Sequence, residues 1–172
     1  MRLAALFPFA IAALVPTPAA AAEIFGGLYV HDVKTPLNLS GIEGGMDAMV
    51  GWRGGRIGST PLQPYVFGAL NTAGETHYAA AGVSLKFGDK LFIRPGLGIA
   101  IHSGSAKKFQ DLSNDDIEFG SRILFAPELG LGARISNRAS IEASWIHMSH
   151  GTLFGRQNPG IDNIGVRLNV AL

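Results

Sequence analysis

Long segments of this chain alternate between apolar and polar residues at every second position, and this pattern narrows the possible folds most. Met46 and Trp52 fall at even positions of one such segment, whereas Glu43, Asp47 and Arg53 fall at odd ones. Successive side chains of a strand point to opposite faces, so the segment has one apolar and one charged face. The pattern recurs along the chain and predicts eight strands: 24–33, 41–53, 62–71, 76–87, 91–103, 119–134, 139–149 and 161–172.

The length of these strands and of their connections favours a membrane barrel. Most of them match the roughly nine to eleven residues that a tilted strand needs to cross a bilayer. The turns at 88–90 and 136–138 are short, whereas the connections at 104–118 and 150–160 are long and polar. Short periplasmic turns and long external loops are typical of bacterial outer-membrane barrels. The sequence therefore predicts an all-β fold, an eight-stranded antiparallel transmembrane β-barrel of the outer-membrane type.

Most charged residues of the predicted strands fall on the inward parity. Facing lipid at mid-depth, a cation would cost about 2 to 4 kcal/mol, whereas opposite charges inside a narrow barrel can pair. The alternative is a soluble sandwich whose charged face meets water. Signal peptide, strand length and loop asymmetry favour the barrel. The predicted inward residues are Glu43, Asp47, Arg53, Lys86, Arg94, Arg122, Glu128, Arg134, Glu142 and Arg167.

The first 22 residues have the features of a secretory signal peptide. Arg2 supplies a positive start, an apolar stretch follows over 3–15, and small residues dominate 16–22. A membrane anchor is the alternative, but this apolar stretch is too short and too rich in proline to span a bilayer well. We expect residues 1–22 to be removed and residues 23–172 to form the barrel.

Composition excludes several classes of function. The chain has no cysteine and a net charge of +1, so neither a thiolate metal site nor a basic nucleic-acid surface is indicated. Histidines His31, His77 and His102 lack the spacing of metal ligands. We therefore expect no metal, no cofactor and no nucleic-acid partner.

Two predicted strands near the carboxyl terminus carry polar side chains on their outward face. His147 and Ser149 share the outward parity of the seventh strand, and Asp162 shares that of the eighth. A register that pairs Ser149 with Gly160 sets His147 opposite Asp162, with Cβ atoms about 4.5 to 5.5 Å apart. A nucleophile, a base and an acid would then meet at the outer rim. Taken singly, each residue has an alternative reading as an interfacial or turn residue.

Two runs in this region resemble the carboxy-terminal signature of a known family, His147-Met148-Ser149-His150-Gly151 and Asn158-Pro159-Gly160-Ile161-Asp162. The family is that of the lipid A 3-O-deacylases, PagL-like outer-membrane esterases, whose signature is His-x-Ser-Asn followed by Gly-x-Glu or Asn-Pro-Gly. The resemblance implies removal of a 3-hydroxyacyl chain from lipid A without a metal. By it, His147 is the general base, Ser149 the nucleophile and Asp162 the orienting acid, which is commonly Glu.

The chain departs from the signature beside the nucleophile. The family's asparagine after the serine, thought to help bind the oxyanion, is His150 here. An imidazole N–H of His150 or the backbone N–H of Gly151 can still donate to developing negative charge. Both residues are therefore oxyanion candidates.

The resemblance implies a lipopolysaccharide substrate and a location in the bacterial outer membrane. The alternative is a non-enzymatic outer-membrane barrel with a structural or adhesion role. A pore is disfavoured, because eight strands and a charge-filled interior leave little passage. The sequence leaves open whether the chain forms a homodimer.

Overall fold

The computed structural model describes residues 21–36, 41–111, 113–154 and 156–172 of the chain. In this part of the chain, no helix is long and apolar enough to cross a membrane. The regular elements are β1 (Glu23–Val30), β2 (Met46–Arg53), β3 (Gln63–Asn71), β4 (Tyr78–Ser84), β5 (Phe87–Gly88), β6 (Leu91–His102), β7 (Ile123–Arg134), β8 (Ala139–Ser149) and β9 (Gly160–Ala171).

The strands form one closed antiparallel sheet. Sequential neighbours pair around the ring, β4 pairs with β6, and β1 pairs with β9 to close it. β5 also pairs with β6, so β4 and β5 are two segments of one strand interrupted at 85–86. The barrel therefore has eight strands around its wall, as the alternation predicts. Closure leaves no sheet edge, which a barrel in lipid requires.

The inner wall carries a network of ion pairs. Arg167 binds Glu142 at 2.5 Å and Glu128 at 3.0 Å, and Arg53 binds Glu23 at 2.5 Å. Because each buried charge faces an opposite charge, the cost of removing it from water is offset. The outer wall is apolar instead, with exposed side chains that include Leu28, Val50, Leu70, Leu97, Ile99, Leu131, Ile141, Val166 and Leu168.

Most of the predicted inward charges are buried in the barrel, but two are not. Arg122 is exposed and donates to the carbonyls of residues 102–104, and exposed Arg134 pairs with Asp89. Both side chains lie at the ends of the wall, where water solvates them. The prediction that Arg122 lines the interior is wrong, whereas Arg134 lines the cavity at the mouth of the barrel beside Glu23. Lys86 is half-buried near the end that carries both termini.

Several strand boundaries also differ from the prediction. β2 begins at Met46 rather than at residue 41, and β7 begins at Ile123 rather than at residue 119. Gly45 and Gly120 adopt positive φ angles of 90° and 75°, which end the extended backbone. The predicted signal peptide lies outside the described residues except for positions 21 and 22.

Candidate active site

The register of β8 and β9 brings the predicted site residues to one place on the barrel wall. Ser149 pairs with Gly160, and His147 pairs with Asp162, so the predicted register is confirmed. Antiparallel partners project to the same face of the sheet, which sets His147 beside Asp162 at the loop end of the barrel, away from both termini.

The three side chains form a continuous chain of hydrogen bonds. The Nδ1 atom of His147 lies 3.0 Å from Oδ1 of Asp162, and its Nε2 atom lies 2.9 Å from Oγ of Ser149. A carboxylate can only accept, so Nδ1 carries the proton and Nε2 accepts from the hydroxyl of Ser149. The arrangement is that of a hydroxyl nucleophile, a neutral base and an acid that fixes the tautomer of the base.

Two further donors, which the sequence did not predict, hold the carboxylate of Asp162. The hydroxyl of Thr35, in the β1–β2 loop, donates to Oδ2 at 2.5 Å. The indole N–H of Trp145 donates to Oδ1 at 2.8 Å. Trp145 lies two residues before His147 on the same face of β8. The backbone N–H of Val33 also donates to the carbonyl oxygen of Asp162, at 2.7 Å. The first loop thus packs onto the acid and fixes its orientation.

The site is less open to lipid than its strand parity suggests. His147 has a side chain that is 13% exposed, but Asp162 is fully buried and Ser149 is 7% exposed. Ser149 and Asp162 keep the predicted outward parity, but neighbouring side chains cover them. Thr35 and Trp145 account for the cover over Asp162, and they leave the side of the site at His147 accessible.

Gly160 gives the nucleophile its space. A Cβ atom at this position would lie 2.7 Å from the carbonyl oxygen of Met148 and 3.0 Å from Cβ of Ser149. It would also lie 3.3 Å from Cε1 of His147. Any side chain here would press on both the base and the nucleophile, so the close pairing of β8 with β9 at the site depends on glycine.

The two oxyanion candidates follow Ser149 at the start of the β8–β9 loop. The imidazole of His150 is fully buried, and its ring centroid lies 5.9 Å from that of Phe154. Its Nε2 lies 3.1 Å from the position that a Cβ of Gly120 would take. The side chain is thus directed at loop residues. Gly151 is exposed and has a φ of 61°, so its backbone turns directly after the nucleophile strand.

Among the described residues, no group of three or more His, Asp or Glu side chains is arranged to hold a metal ion. The charged network of the interior, described above, uses its carboxylates to bind arginines. The site on the outer wall is built from one carboxylate, one imidazole and one hydroxyl.

Comparison with known proteins identifies a family model that covers most of the chain. The model described as "Lipid A 3-O-deacylase (PagL)" matches residues 39–171. This range includes all three residues of the hydrogen-bonded chain and both oxyanion candidates. No curated protein sequence matches the chain.

Two solved structures share the fold. The outer membrane enzyme PagL is similar with a TM-score of 0.61 and 21% identity, over 87% of this chain and 99% of that one. Neisserial surface protein A is similar with a TM-score of 0.59 and 11% identity, over 91% of this chain and all of that one. Since an enzyme and a surface protein both have this barrel, the fold alone does not decide the function.

Proposed function

Because this chain belongs to the lipid A 3-O-deacylase family of bacterial outer-membrane hydrolases, we propose that it removes the 3-O-linked hydroxyacyl chain of lipid A by nucleophilic catalysis at Ser149. The observation that carries the proposal is the chain of hydrogen bonds from Ser149 through His147 to Asp162. In this proposal Ser149 is the nucleophile, His147 the general base and Asp162 the orienting acid.

The first half of the reaction forms an acyl-enzyme. Oγ of Ser149 attacks the ester carbonyl carbon while Nε2 of His147 takes the hydroxyl proton. Asp162 stabilises the imidazolium that forms and holds its tautomer. When the carbonyl reforms, the bond to the 3-oxygen of lipid A breaks, and His147 returns its proton to that oxygen.

The second half releases the fatty acid. His147 accepts a proton from water, which attacks the acyl carbon, and the Ser149 oxygen leaves with the proton that His147 gives back. The products are a 3-hydroxy fatty acid and lipid A with a free 3-hydroxyl. Because the site lies on the outer wall, an ester in the outer leaflet reaches it from the membrane without passing through the barrel.

The negative charge of the tetrahedral intermediate needs a hydrogen-bond donor. We propose the backbone N–H of Gly151 for this role, with that of His150 as the second candidate, because both follow the nucleophile directly. The imidazole of His150 is directed at Phe154 and Gly120. We therefore expect His150→Ala to keep its rate within about threefold, whereas loss of a true oxyanion donor costs about 10²-fold or more.

We also propose that the functional chain begins near Glu23, after removal of residues 1–22. The positive start at Arg2, the apolar stretch over 3–15 and the small residues over 16–22 support this boundary. Mass measurement of the protein isolated from outer membranes tests it, and the same sample analysed by native mass spectrometry determines whether the barrel forms a homodimer.

The purified barrel incubated with lipopolysaccharide tests the proposed activity. Mass spectrometry should detect a released 3-hydroxy fatty acid from the wild type and none from Ser149→Ala. Ser144→Ala is the matched control, because Ser144 lies on the same strand but faces the interior. It should retain activity. Equal release by wild type and Ser149→Ala would refute the mechanism. Unchanged lipid A from folded wild type would favour the non-enzymatic barrel.

A further inference from the structure

A polar cavity of about 300 Å³ lies at the end of the barrel that carries both termini, which we expect to face the periplasm. Its lining has an unusual balance of charge. Only two carboxylates contribute, Glu23 and Asp89, and the five cationic side chains around them are Arg56, Lys86, Arg94, Arg134 and Arg138. The cavity wall thus has an excess of three positive charges.

Both carboxylates of the cavity already form ion pairs with arginines. Glu23 binds Arg53 at 2.5 Å and Arg94 at 2.6 Å, and Asp89 pairs with Arg134. These pairs neutralise part of the wall, but they leave no carboxylate of the cavity to balance Lys86 and Arg138. The excess therefore stays within the cavity itself.

Two of the cationic side chains lack an anionic partner among the described residues. No carboxylate there forms an ion pair with Lys86, whose Nζ lies 4.2 Å from the centroid of the Phe92 ring. Arg138 likewise forms no ion pair within that set, because Asp89 of the cavity binds Arg134 instead. Arg94 is fully buried and already pairs with Glu23 at 2.6 Å and with Glu142 at 3.1 Å, so it contributes positive charge to the cavity wall rather than a free donor.

We propose that this cavity binds a phosphate group with two or more negative charges. Guanidinium groups match phosphate oxygens with two parallel hydrogen bonds, and an ammonium adds a compact charge. Lys86 and Arg138 would donate to it from the rim of the cavity, and the buried guanidinium of Arg94 would add positive charge at the floor. The volume admits a phosphate ester or a diphosphate but not a polymer.

The opposite mouth of the barrel has the reverse character. There, the buried carboxylates Glu43 and Asp47 both bind His31, so these three groups together carry an excess of negative charge. The cationic cavity lies at the other end of the barrel, far from Ser149. Its phosphate could come from a soluble ester or from a lipid headgroup at the inner leaflet, and the two sources share the same chemistry.

Calorimetric titration of the full barrel with pyrophosphate tests the proposal. The protein is folded in lauryldimethylamine oxide micelles, which contain no phosphate, and ionic strength is held constant with sodium chloride. We expect saturable binding that is about tenfold weaker in Lys86→Gln and in Arg138→Gln, since each removes a charged donor. Lys108→Gln, which removes an exposed cation from the β6–β7 loop, should bind as the wild type does. Ser149→Ala should also bind normally, because this site does not depend on the catalytic proposal.

The source of the phosphate follows from a second titration, in phosphatidylcholine nanodiscs with and without phosphatidic acid. Loss of pyrophosphate affinity when phosphatidic acid is present assigns the site to a lipid headgroup. Unchanged affinity assigns it to a soluble ester. The proposal is overturned if pyrophosphate gives no saturable heat, or if both cavity variants, shown folded by circular dichroism, bind it as tightly as the wild type does.

Discussion

Two histidines of this barrel are held by carboxylates, and they lie on opposite sides of its wall. His31 is buried inside, with Nδ1 at 2.8 Å from Asp47 and Nε2 at 3.0 Å from Glu43. His147 lies on the outer side, with Nδ1 at 3.0 Å from Asp162 and Nε2 at 2.9 Å from the hydroxyl of Ser149. The two rings differ in one partner only, a second carboxylate in place of a hydroxyl.

That single partner decides the chemistry of each ring. Both nitrogens of His31 face acceptors, so both must donate and the ring is held as a cation. Burial by itself would lower the pKa of His31, but hydrogen bonds to Asp47 and Glu43 outweigh burial and raise it to about 9. His147 instead keeps a lone pair directed at a proton it can accept. An imidazole between two carboxylates is an ion pair, whereas one between a carboxylate and a hydroxyl can act as a base.

Exchange of each histidine for glutamine separates the two roles most strongly. His147→Gln removes the proposed base, and we expect the rate of fatty-acid release to fall by about 10³-fold or more. His31→Gln should leave the rate within about threefold but lower the free energy of unfolding, because it leaves two buried carboxylates unpaired. Release assays and urea unfolding of the same preparations measure both effects. A large loss of rate in His31→Gln with the fold retained would contradict the assignment of catalysis to His147 and of stability to His31.

The two aspartates sharpen the same contrast. Asp162→Asn keeps the size of the side chain but can stabilise the wrong tautomer of His147, so we expect a loss of rate of about 10² to 10⁴-fold. Asp47→Asn should lower the free energy of unfolding and leave the rate of fatty-acid release unchanged. Steady-state kinetics and unfolding curves test the pair. Comparable activities in the two variants would show that Asp162 does not orient the base.

Much of the active site on the outer wall was predictable from the sequence, because the alternation of apolar and polar residues is a local property of the chain. Strand parity placed His147, Ser149 and Asp162 on the outward face, and a symmetric register that pairs Ser149 with Gly160 set His147 opposite Asp162. The contact with Thr35 was not predictable, since Thr35 lies 127 positions from Asp162 in a loop without periodicity. Trp145 carried a usable signal. It shares the outward face of His147 two residues away, where an indole N–H usually finds an acceptor.

The predicted start of β2 was wrong for a different reason. The alternation continues past the true start of β2, but Gly45 has a φ of 90° and turns the backbone out of the sheet. Hydrophobic patterning does not report φ. The loop that results carries Glu43 into the interior, where it accepts from Thr76 and from the backbone N–H of Ile117. The partner that makes His31 an ion pair therefore comes from a segment that the sequence assigned to a strand.

The raised pKa of His31 predicts how stability depends on pH. The folded pKa of about 9 exceeds the ordinary value of 6.5, so the contribution is complete below about pH 6.5 and is lost as the pH rises through about 9. We expect the free energy of unfolding to fall by about 2 kcal/mol between about pH 7.5 and pH 9.5. Urea unfolding of the wild type and His31→Gln at both pH values measures it. An equal fall in both proteins would assign it to other groups.

The smallest effect is expected at Thr35, and it tests how tightly the outer acid is held. Thr35→Val keeps the shape of the side chain but removes the hydroxyl that donates to Asp162 at 2.5 Å. Loss of one hydrogen bond to a charged group should lower the rate by about tenfold. Thr35→Ser keeps the hydroxyl and should restore most of it. A loop contact that acts through the shape of the side chain alone would leave Thr35→Val at the wild-type rate and would contradict this role of the hydroxyl. The ion pairs of His31 do not involve Asp162, so the fall in the free energy of unfolding between about pH 7.5 and pH 9.5 should be the same in both Thr35 variants.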